Sequence, residues 1–192
     1  MPSKQLPEPW KSFLSKINAA VNQTIDFECL GGFVVTTLYG LKRPTADVDV
    51  LSIEPGDQRD FIVKLAGQGS PLHKKHGVYL EVVTVAAVPE GYEQRLTLMF
   101  DGVFKHLRLF ALDPYDLALS KLERNIQRDR DDVKHLARTV PFDLGILKRR
   151  YEKELRPNLG NPQREDLTLN LWVEAIEEER AQNDRAHTGP TQ

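Results

Sequence analysis

Two carboxylates alternate with valines in a short stretch that otherwise favours a β-strand. The stretch is TADVDV, residues 45–50, where Asp47 and Asp49 alternate with Val48 and Val50. Because alternate residues of a strand point to the same face, both aspartates project together and both valines face the opposite side. Like charges side by side raise each other's affinity for protons, so water or a cation must offset their repulsion if both stay ionised. The pattern therefore predicts a strand whose valines lie in a core and whose acidic face meets solvent or a bound cation.

A third carboxylate interrupts the most strand-like segment of the chain. This segment is GVYLEVVTV, residues 77–85, and Glu81 is the charged residue within it. An unpaired carboxylate is costly to bury among apolar side chains, so Glu81 belongs on an edge strand or beside a partner. If this strand neighbours the acidic one, Glu81 joins Asp47 and Asp49 in a site for Mg²⁺, which prefers carboxylate oxygens. The alternative to a metal site is a solvated strand face, and the two aspartates taken alone favour this alternative.

A pair of glycines precedes the acidic strand. Gly31 and Gly32 follow the alternating segment 25–29 and precede a short helix predicted over 33–39. Glycine allows a ligand to approach the backbone closely, and the start of a helix offers free N–H groups to phosphate. The pair therefore indicates a phosphate-binding turn, with an ordinary tight turn as the alternative.

The remaining periodicities divide the chain into an α/β part and a helical part. Strands are predicted over 25–29, 46–53 and 77–85 and in a hairpin around Asp101–Gly102. Helices are predicted over 9–22, 33–39, 57–69, 129–138, 143–155, 162–182 and, with Asp113 as its cap, 114–126. The predicted fold class is α+β, a small mixed sheet with flanking helices followed by a C-terminal helical part. The predicted domains are an α/β core over 1–112, a helical domain over 113–183 and a disordered tail over 184–192.

Composition excludes several classes of protein. The formal net charge is −2, so nothing favours a bulk electrostatic attraction to nucleic acid, while the Arg and Lys clusters at 121–130 and 148–150 leave a local basic patch as an alternative. No apolar run approaches the ~18 residues that a membrane helix needs. Cys29 is the single cysteine, so an intrachain disulfide is excluded and a reducing cytoplasm is the expected compartment.

The run GGFVVTTLYGLKRPTADVDVLSI resembles the signature of the nucleotidyltransferase superfamily related to DNA polymerase β. That signature is a strand, a Gly-Gly or Gly-Ser turn, a short helix and a strand carrying Arg-x-Thr-x-Asp-[ILV]-Asp. The residues that match it are Gly31, Gly32, Gly40, Arg43, Thr45, Asp47 and Asp49. The sequence departs from the superfamily at Glu81, where an aspartate is more common.

A second run, DPYDLALSKLERNIQRDRDDVKHL, is similar to a narrower group, the AbiEii-type abortive-infection and toxin nucleotidyltransferases. In that group a helix with Lys-x-x-[small/Arg] is followed by Arg-Asp-x-x-Asp, and the matching residues are Lys121, Arg124, Arg128, Asp129 and Asp132. Lys121 and Arg124 are predicted to share one helix face that is directed at the carboxylates. Without the resemblance, this charged run is typical of a solvated helix junction.

The resemblance implies a magnesium-dependent transfer of a nucleotide from an NTP to an RNA 3′ end, such as that of tRNA, or to a protein hydroxyl. It also implies a toxin in a toxin–antitoxin or phage-defence system, with an antitoxin partner. The implied metal ligands are Asp47, Asp49 and Glu81, which are catalytic together with Lys121. The implied nucleotide-binding residues are Gly31, Gly32, Arg43, Thr45, Lys121, Arg124 and Asp132.

Two other functions remain open at this point. The same fold without activity would serve as a binding or regulatory module, and the departure at Glu81 favours this slightly. A metal-dependent nuclease is disfavoured, because such sites commonly use Glu-x-Lys on a strand and here Val82 and Val83 follow Glu81.

Overall fold

Five strands form one mixed sheet in the structure, a computed structural model that describes residues 5–84 and 86–187. The strands are β1 (Ile25–Cys29), β2 (Asp47–Glu54), β3 (Tyr79–Val82), β4 (Thr97–Met99) and β5 (Leu107–Ala111). Their order across the sheet is β3-β2-β1-β5-β4. Strand β1 is antiparallel to β2 and parallel to β5, whereas β2 and β3 are parallel to each other. The predicted hairpin is confirmed, because β4 pairs with β5 in antiparallel register.

Eight α-helices surround this sheet within the described residues. They are α1 (Trp10–Ala20), α2 (Gly31–Thr37), α3 (Arg59–Ala66), α4 (Pro71–His76), α5 (Pro114–Leu119), α6 (Gln127–Thr139), α7 (Leu144–Arg150) and α8 (Gln163–His187). A π-helical turn, Tyr151–Leu155, extends α7. The mixed α/β fold class predicted from the sequence is therefore confirmed, with a helical part that follows the sheet.

Alternation along the strands places one face of the sheet in the core. On β2, Val48 and Val50 are fully buried, while Asp47 and Asp49 on the other face are only partly buried. Helix α2 packs against β2. A register shift between Glu28 and Cys29 puts Val50 opposite Cys29. The two aspartates of β2 line a cavity that also contains residues of α2 and of the helical part.

The helix predicted over 114–126 ends seven residues early, at Leu119. Its beginning is as predicted, since the Asp113 carboxylate accepts hydrogen bonds from the backbone N–H groups of Tyr115 and Asp116 at 3.0 and 2.9 Å. After Leu119 the chain continues in turns, and Asn125 has a φ of +44°, which no α-helix tolerates. Lys121 and Arg124 therefore lie in a turn, and the prediction that they share a helix face is wrong.

Two further boundaries differ from the sequence expectation. Within the described residues, the strand predicted over 77–85 is Tyr79–Val82, and α4 ends shortly before it. Residue 85 of that prediction lies outside the described residues. Helix α8 continues to His187, beyond the predicted end at 182, so residues 184–187 of the predicted disordered tail are helical. Residues 188–192 of that tail lie outside the described residues.

One buried apolar cluster contains residues from both predicted domains, including Phe27 and Val50 of the sheet and Leu136 and Trp172 of the helical part. The predicted division between 112 and 113 falls between the end of β5 and the start of α5, and it remains a prediction. Among the described residues, no helix is both long enough and apolar enough to cross a lipid bilayer.

Candidate functional site

The three carboxylates singled out in the sequence meet at one point of the sheet. Parallel pairing of β2 with β3 places Glu81 directly opposite Asp49 and Tyr79 opposite Asp47. One oxygen from each of Asp47, Asp49 and Glu81 lies within 4.8 Å of the others. Asp47 and Asp49 are partly buried and Glu81 is exposed. The expected convergence of these side chains is therefore observed, and we call Asp47, Asp49 and Glu81 the acidic triad.

Gly31 is required by the position of Asp49. Its φ is +70°, a conformation that favours glycine, and a Cβ at this position would lie 1.8 Å from Asp49 Oδ2. A Cβ on Gly32 would lie 3.1 Å from Thr45 Oγ1 and 3.2 Å from Arg43 Nη2. Both glycines are the first residues of α2, whereas the sequence predicted a turn before a helix over 33–39. The glycine pair thus lets this helix lie directly against the triad.

Burial and like charge make Asp49 hard to ionise. Burial is the largest cause, followed by the charges of Asp47 and Glu81, and together they raise the pKa of Asp49 to about 7. Lys121 and Arg124 oppose this shift. Thr45 donates a hydrogen bond to Asp47 Oδ1 and so orients the second carboxylate. A cation bound between these carboxylates would favour the ionised form of Asp49, because an opposite charge nearby lowers the pKa of a carboxyl group.

Lys121 and Arg124 approach the triad from the turn after α5, but each is held by a buried carboxylate of α6. Lys121, only 4% exposed, places Nζ 2.8 Å from Asp132 Oδ2. Arg124 donates two hydrogen bonds to Asp129, at 2.9 and 2.6 Å. Asp129 also accepts a hydrogen bond from the backbone N–H of Ile126 at 3.1 Å, which stabilises the start of α6. The two aspartates are therefore structural partners of the cations.

Arg43 completes this cation cluster from the loop between α2 and β2. Its Nη2 lies 3.0 Å from Asp132 Oδ1 and donates to Oδ2 at 3.1 Å. Its Nε and Nη1 are buried and have no hydrogen-bond partner in the part of the chain that the structure describes. Buried guanidinium N–H groups normally find acceptors. Arg43 therefore presents free donors beside the triad.

Two adjoining cavities open onto these residues. The smaller, of about 160 Å³, contains most of the predicted site residues: Gly32, Arg43, Asp47, Asp49, Glu81, Lys121, Arg124 and Asp132. The larger, of about 360 Å³, shares Asp49, Lys121 and Arg124 with the first and includes Gly31. It also has Arg164 from α8 and the apolar side chains of Ala86 and Ala87, which no sequence motif identified. Thr45 does not line either cavity, but it donates a hydrogen bond to Asp47, which does. Every predicted site residue therefore lines this cleft or contacts a residue that lines it.

Comparison with protein-family models matches residues 8–180 to the family described as "Nucleotidyltransferase of unknown function (DUF6036)". The chain belongs to this family. The match covers the whole sheet and nearly all of the helical part, so nucleotidyl transfer is the activity that the family description supports. Neither the curated proteins nor the solved structures contain a match. The narrower likeness to AbiEii-type proteins has no support from these comparisons and stays a prediction.

Replacement of Gly31 by alanine should destabilise the protein more than the same change at Gly40. Both glycines have positive φ, +70° and +74°, but a Cβ at Gly40 meets nothing within 4 Å. Gly40→Ala therefore introduces backbone strain alone, whereas Gly31→Ala adds the collision with Asp49. From the typical cost of overpacking, we expect Gly31→Ala to lower the free energy of unfolding by roughly 1–3 kcal/mol more than Gly40→Ala does. Urea denaturation monitored by circular dichroism measures the difference. Equal losses in the two variants would contradict the close approach of Asp49 to Gly31.

Asp49→Asn should stabilise the metal-free protein, and increasingly so as the pH rises. Since the pKa of Asp49 is about 7 in the folded state and ~3.9 in an unfolded chain, the unfolded state ionises first and folding stability is lost as pH rises through the folded pKa. The asparagine variant lacks this loss, which approaches ~1.4 kcal/mol per unit of pKa difference. Melting temperatures in EDTA between pH 4 and 8 measure the effect. Asp101→Asn, at an exposed turn, is the control and should keep the wild-type pH dependence.

Proposed function

We propose that this chain is a magnesium-dependent nucleotidyltransferase that moves a nucleotide from an NTP to a hydroxyl group. The observation that carries the proposal is the convergence of three carboxylate oxygens within 4.8 Å at the edge of a cleft that also contains cations. Family membership supports the same reaction class. Each part of the cleft suits one part of such a reaction.

The acidic triad fits a hard divalent cation. All of its donors are carboxylate oxygens, and besides burial, the charges of Asp47 and Glu81 oppose the ionisation of Asp49, which a bound cation would favour. Asp47, Asp49 and Glu81 are the residues that would hold Mg²⁺. When bound, Mg²⁺ supplies positive charge that offsets the negative charge of a triphosphate.

The cation cluster suits the phosphates. Arg43, Lys121 and Arg124 outnumber the carboxylates of Asp129 and Asp132, so one positive charge remains in excess beside the triad. Arg43 lines the smaller cavity and suits phosphate oxygens, and Lys121 and Arg124, which line both cavities, suit the pyrophosphate that leaves. Asp132 was predicted to bind nucleotide. Because it is fully buried and paired with two cations, we infer that it positions Arg43 and Lys121 instead.

The larger cavity suits the nucleoside. It is partly apolar, with Leu30, Val83, Ala86 and Ala87 in its wall, and it adjoins the triad at Asp49. Ligand cavities of this kind bind flat or apolar groups against their walls and use a few polar groups for orientation. Gly31 lines this cavity and Gly32 lines the smaller one, and neither adds a side chain to the lining.

The residues imply a direct displacement at the α-phosphorus. The acceptor hydroxyl oxygen bonds to the α-phosphorus, the bond from that phosphorus to the bridging oxygen breaks, and pyrophosphate leaves. Glu81, which is the exposed member of the triad, accepts the proton of the hydroxyl. Asp47 and Asp49 would hold the cation, and Lys121 and Arg124 neutralise the charge that develops on the leaving group.

Asp49→Asn should abolish metal-dependent incorporation from labelled NTPs. Loss of one charged ligand at a phosphoryl-transfer site costs on the order of 10²-fold or more. The assay supplies purified protein, Mg²⁺, cell lysate and each of the four α-labelled NTPs in turn, and Asp101→Asn serves as the matched control. Calorimetry that shows tight NTP binding without Mg²⁺ dependence, together with no incorporation, would instead support a non-catalytic binding module.

The similarity of residues 121–132 to AbiEii-type toxins supports a toxin role in the cytoplasm, with an antitoxin as partner. Induced expression in a bacterial host should then arrest growth, and the arrest should require Asp49. Growth curves of the wild type, Asp49→Asn and Asp101→Asn measure this. Unimpaired growth with soluble, incorporation-competent wild-type protein would exclude the toxin role and leave the transferase proposal standing.

A further inference from the structure

One edge of the sheet is open beside the acidic triad. Strand β3 is the last strand on its side of the sheet, and its one strand neighbour among the described residues is β2. Tyr79 N–H donates to Ala46 O at 2.9 Å and Val83 N–H donates to Val50 O at 2.8 Å, so the odd-numbered residues of this segment face β2. Because backbone groups alternate in direction along a strand, Leu80 and Val82 direct theirs away from β2.

Only part of this outer edge is covered in the described chain. An isolated parallel bridge joins Leu80 to Gly67, at the end of α3. Val82, the residue after Glu81, faces two cavities of about 340 and 440 Å³, which also share Arg59. These cavities form one groove between the edge and α3, which we call the edge groove. Its strand side is Tyr79–Val82, which corresponds to about 13 Å of extended chain.

The edge groove leads directly to the reacting end of the cleft. Glu81 lines both the edge groove and the cavity of the acidic triad, and Val83 lines both the groove and the nucleoside cavity. A molecule that lies along β3 therefore reaches the triad at Glu81. Lys121 and Arg124, where the phosphates are expected to bind, line the cavity of the triad but do not line the edge groove.

The lining of the edge groove is unfavourable to a polyphosphate backbone. Arg59 is its one cation within the described residues, against the carboxylates of Glu54, Asp60 and Glu81. Nucleic acid binding relies on several Lys or Arg contacts to phosphate. Val63 adds an apolar side chain to the wall and is 40% exposed. An exposed strand edge, an apolar wall and few cations are the features that bind an extended peptide by strand addition.

We propose that the acceptor is a polypeptide, and that an extended segment of it adds to the outer edge of β3 and places a Ser, Thr or Tyr hydroxyl at Glu81. This inference rests on the proposed nucleotidyl transfer and selects its acceptor. The hydroxyl oxygen forms a bond to the α-phosphorus of the NTP, the bond between that phosphorus and the pyrophosphate breaks, and the hydroxyl proton passes to Glu81. The product is a polypeptide that carries a nucleotide in phosphodiester linkage.

Two acceptor pools distinguish a polypeptide from RNA. One is a library of 12-residue random peptides with a fixed central Ser, Thr or Tyr, and the other is total tRNA with a random RNA oligonucleotide library. The full chain is incubated with each pool, Mg²⁺ and each α-labelled NTP. We expect label in the peptide pool and none in the RNA pool. Label confined to RNA would overturn this inference and leave the proposed nucleotidyl transfer intact, whereas absence of label from both pools counts against both.

Two exposed residues of α3 provide a matched pair of variants. Val63 lines the edge groove, while Phe61 is 46% exposed on another face of the same helix and is absent from the groove lining. Val63→Arg should lower kcat/KM for peptide labelling about tenfold or more, and Phe61→Arg should leave it within about twofold. Both should retain the wild-type stabilisation by Mg²⁺ and NTP in thermal melts. Equal peptide labelling by the two variants would overturn the docking site.

A backbone variant tests the strand edge itself. Val82→Pro removes an N–H group that faces away from β2, and proline is tolerated at such positions of edge strands. We expect peptide labelling to fall while NTP-dependent stabilisation persists. If Val82→Pro folds, binds NTP and labels peptides as the wild type does, strand addition is excluded; if it does not fold, the Val63 and Phe61 pair decides the question.

Discussion

Mutual repulsion of three carboxylates is the constraint on which the site depends. The parallel register of β2 and β3 forces Glu81 beside Asp49, and the buried face of the same strand keeps Val48 and Val50 in the core, so the aspartates cannot turn away. Gly31 provides the space that Asp49 occupies. Burial and the charges of Asp47 and Glu81 together raise the pKa of the Asp49 carboxyl to about 7. A cluster of like charges that destabilises the free protein is typical of functional sites, because a bound ligand can remove the repulsion.

The helical part supplies the opposing charge, and it does so in a fixed geometry. Lys121 and Arg124 lie in a turn that has little regular structure of its own, and the buried carboxylates Asp129 and Asp132 hold them in place. A charged side chain buried in such a network cannot leave without exposing its partner to an apolar surrounding. Asp132 also binds Arg43, so the loop before β2, the turn after α5 and the start of α6 are joined at one point. The two predicted domains are therefore coupled at the site as well as through their common core.

The two sides of the triad differ in chemistry, and this difference gives the proposed reaction a direction. The side of Lys121 and Arg124 has excess positive charge and an apolar cavity, which suits a triphosphate with its nucleoside. The side of β3 has an open strand edge and more carboxylates than cations, which suits an uncharged or basic chain. Glu81 lies between them. A transfer reaction needs this kind of separation, because the acceptor and the leaving pyrophosphate must occupy opposite sides of the reacting phosphorus.

The elements that local rules predicted correctly are those that depend on residues close together in the sequence. The alternation of β1 and β2, the hairpin of β4 and β5, and the Asp113 cap all depend on residues close together in sequence, and the structure has each of them. The same rules failed where tertiary contacts compete with propensity. The helix after Asp113 stops at Leu119, because the turn that follows it carries Lys121 and Arg124 to their partners on α6.

The sequence by itself determined which residues carry charge and which face of each strand they occupy, because side-chain direction along a strand alternates whatever the strand pairs with. Only the tertiary structure decided that β2 and β3 are neighbours in this register, that Asp49 lies against Gly31, and that Arg164 of α8 reaches the cleft. These facts depend on how the whole core packs and on which ion pairs can form once it has packed, and no short stretch of sequence contains that information.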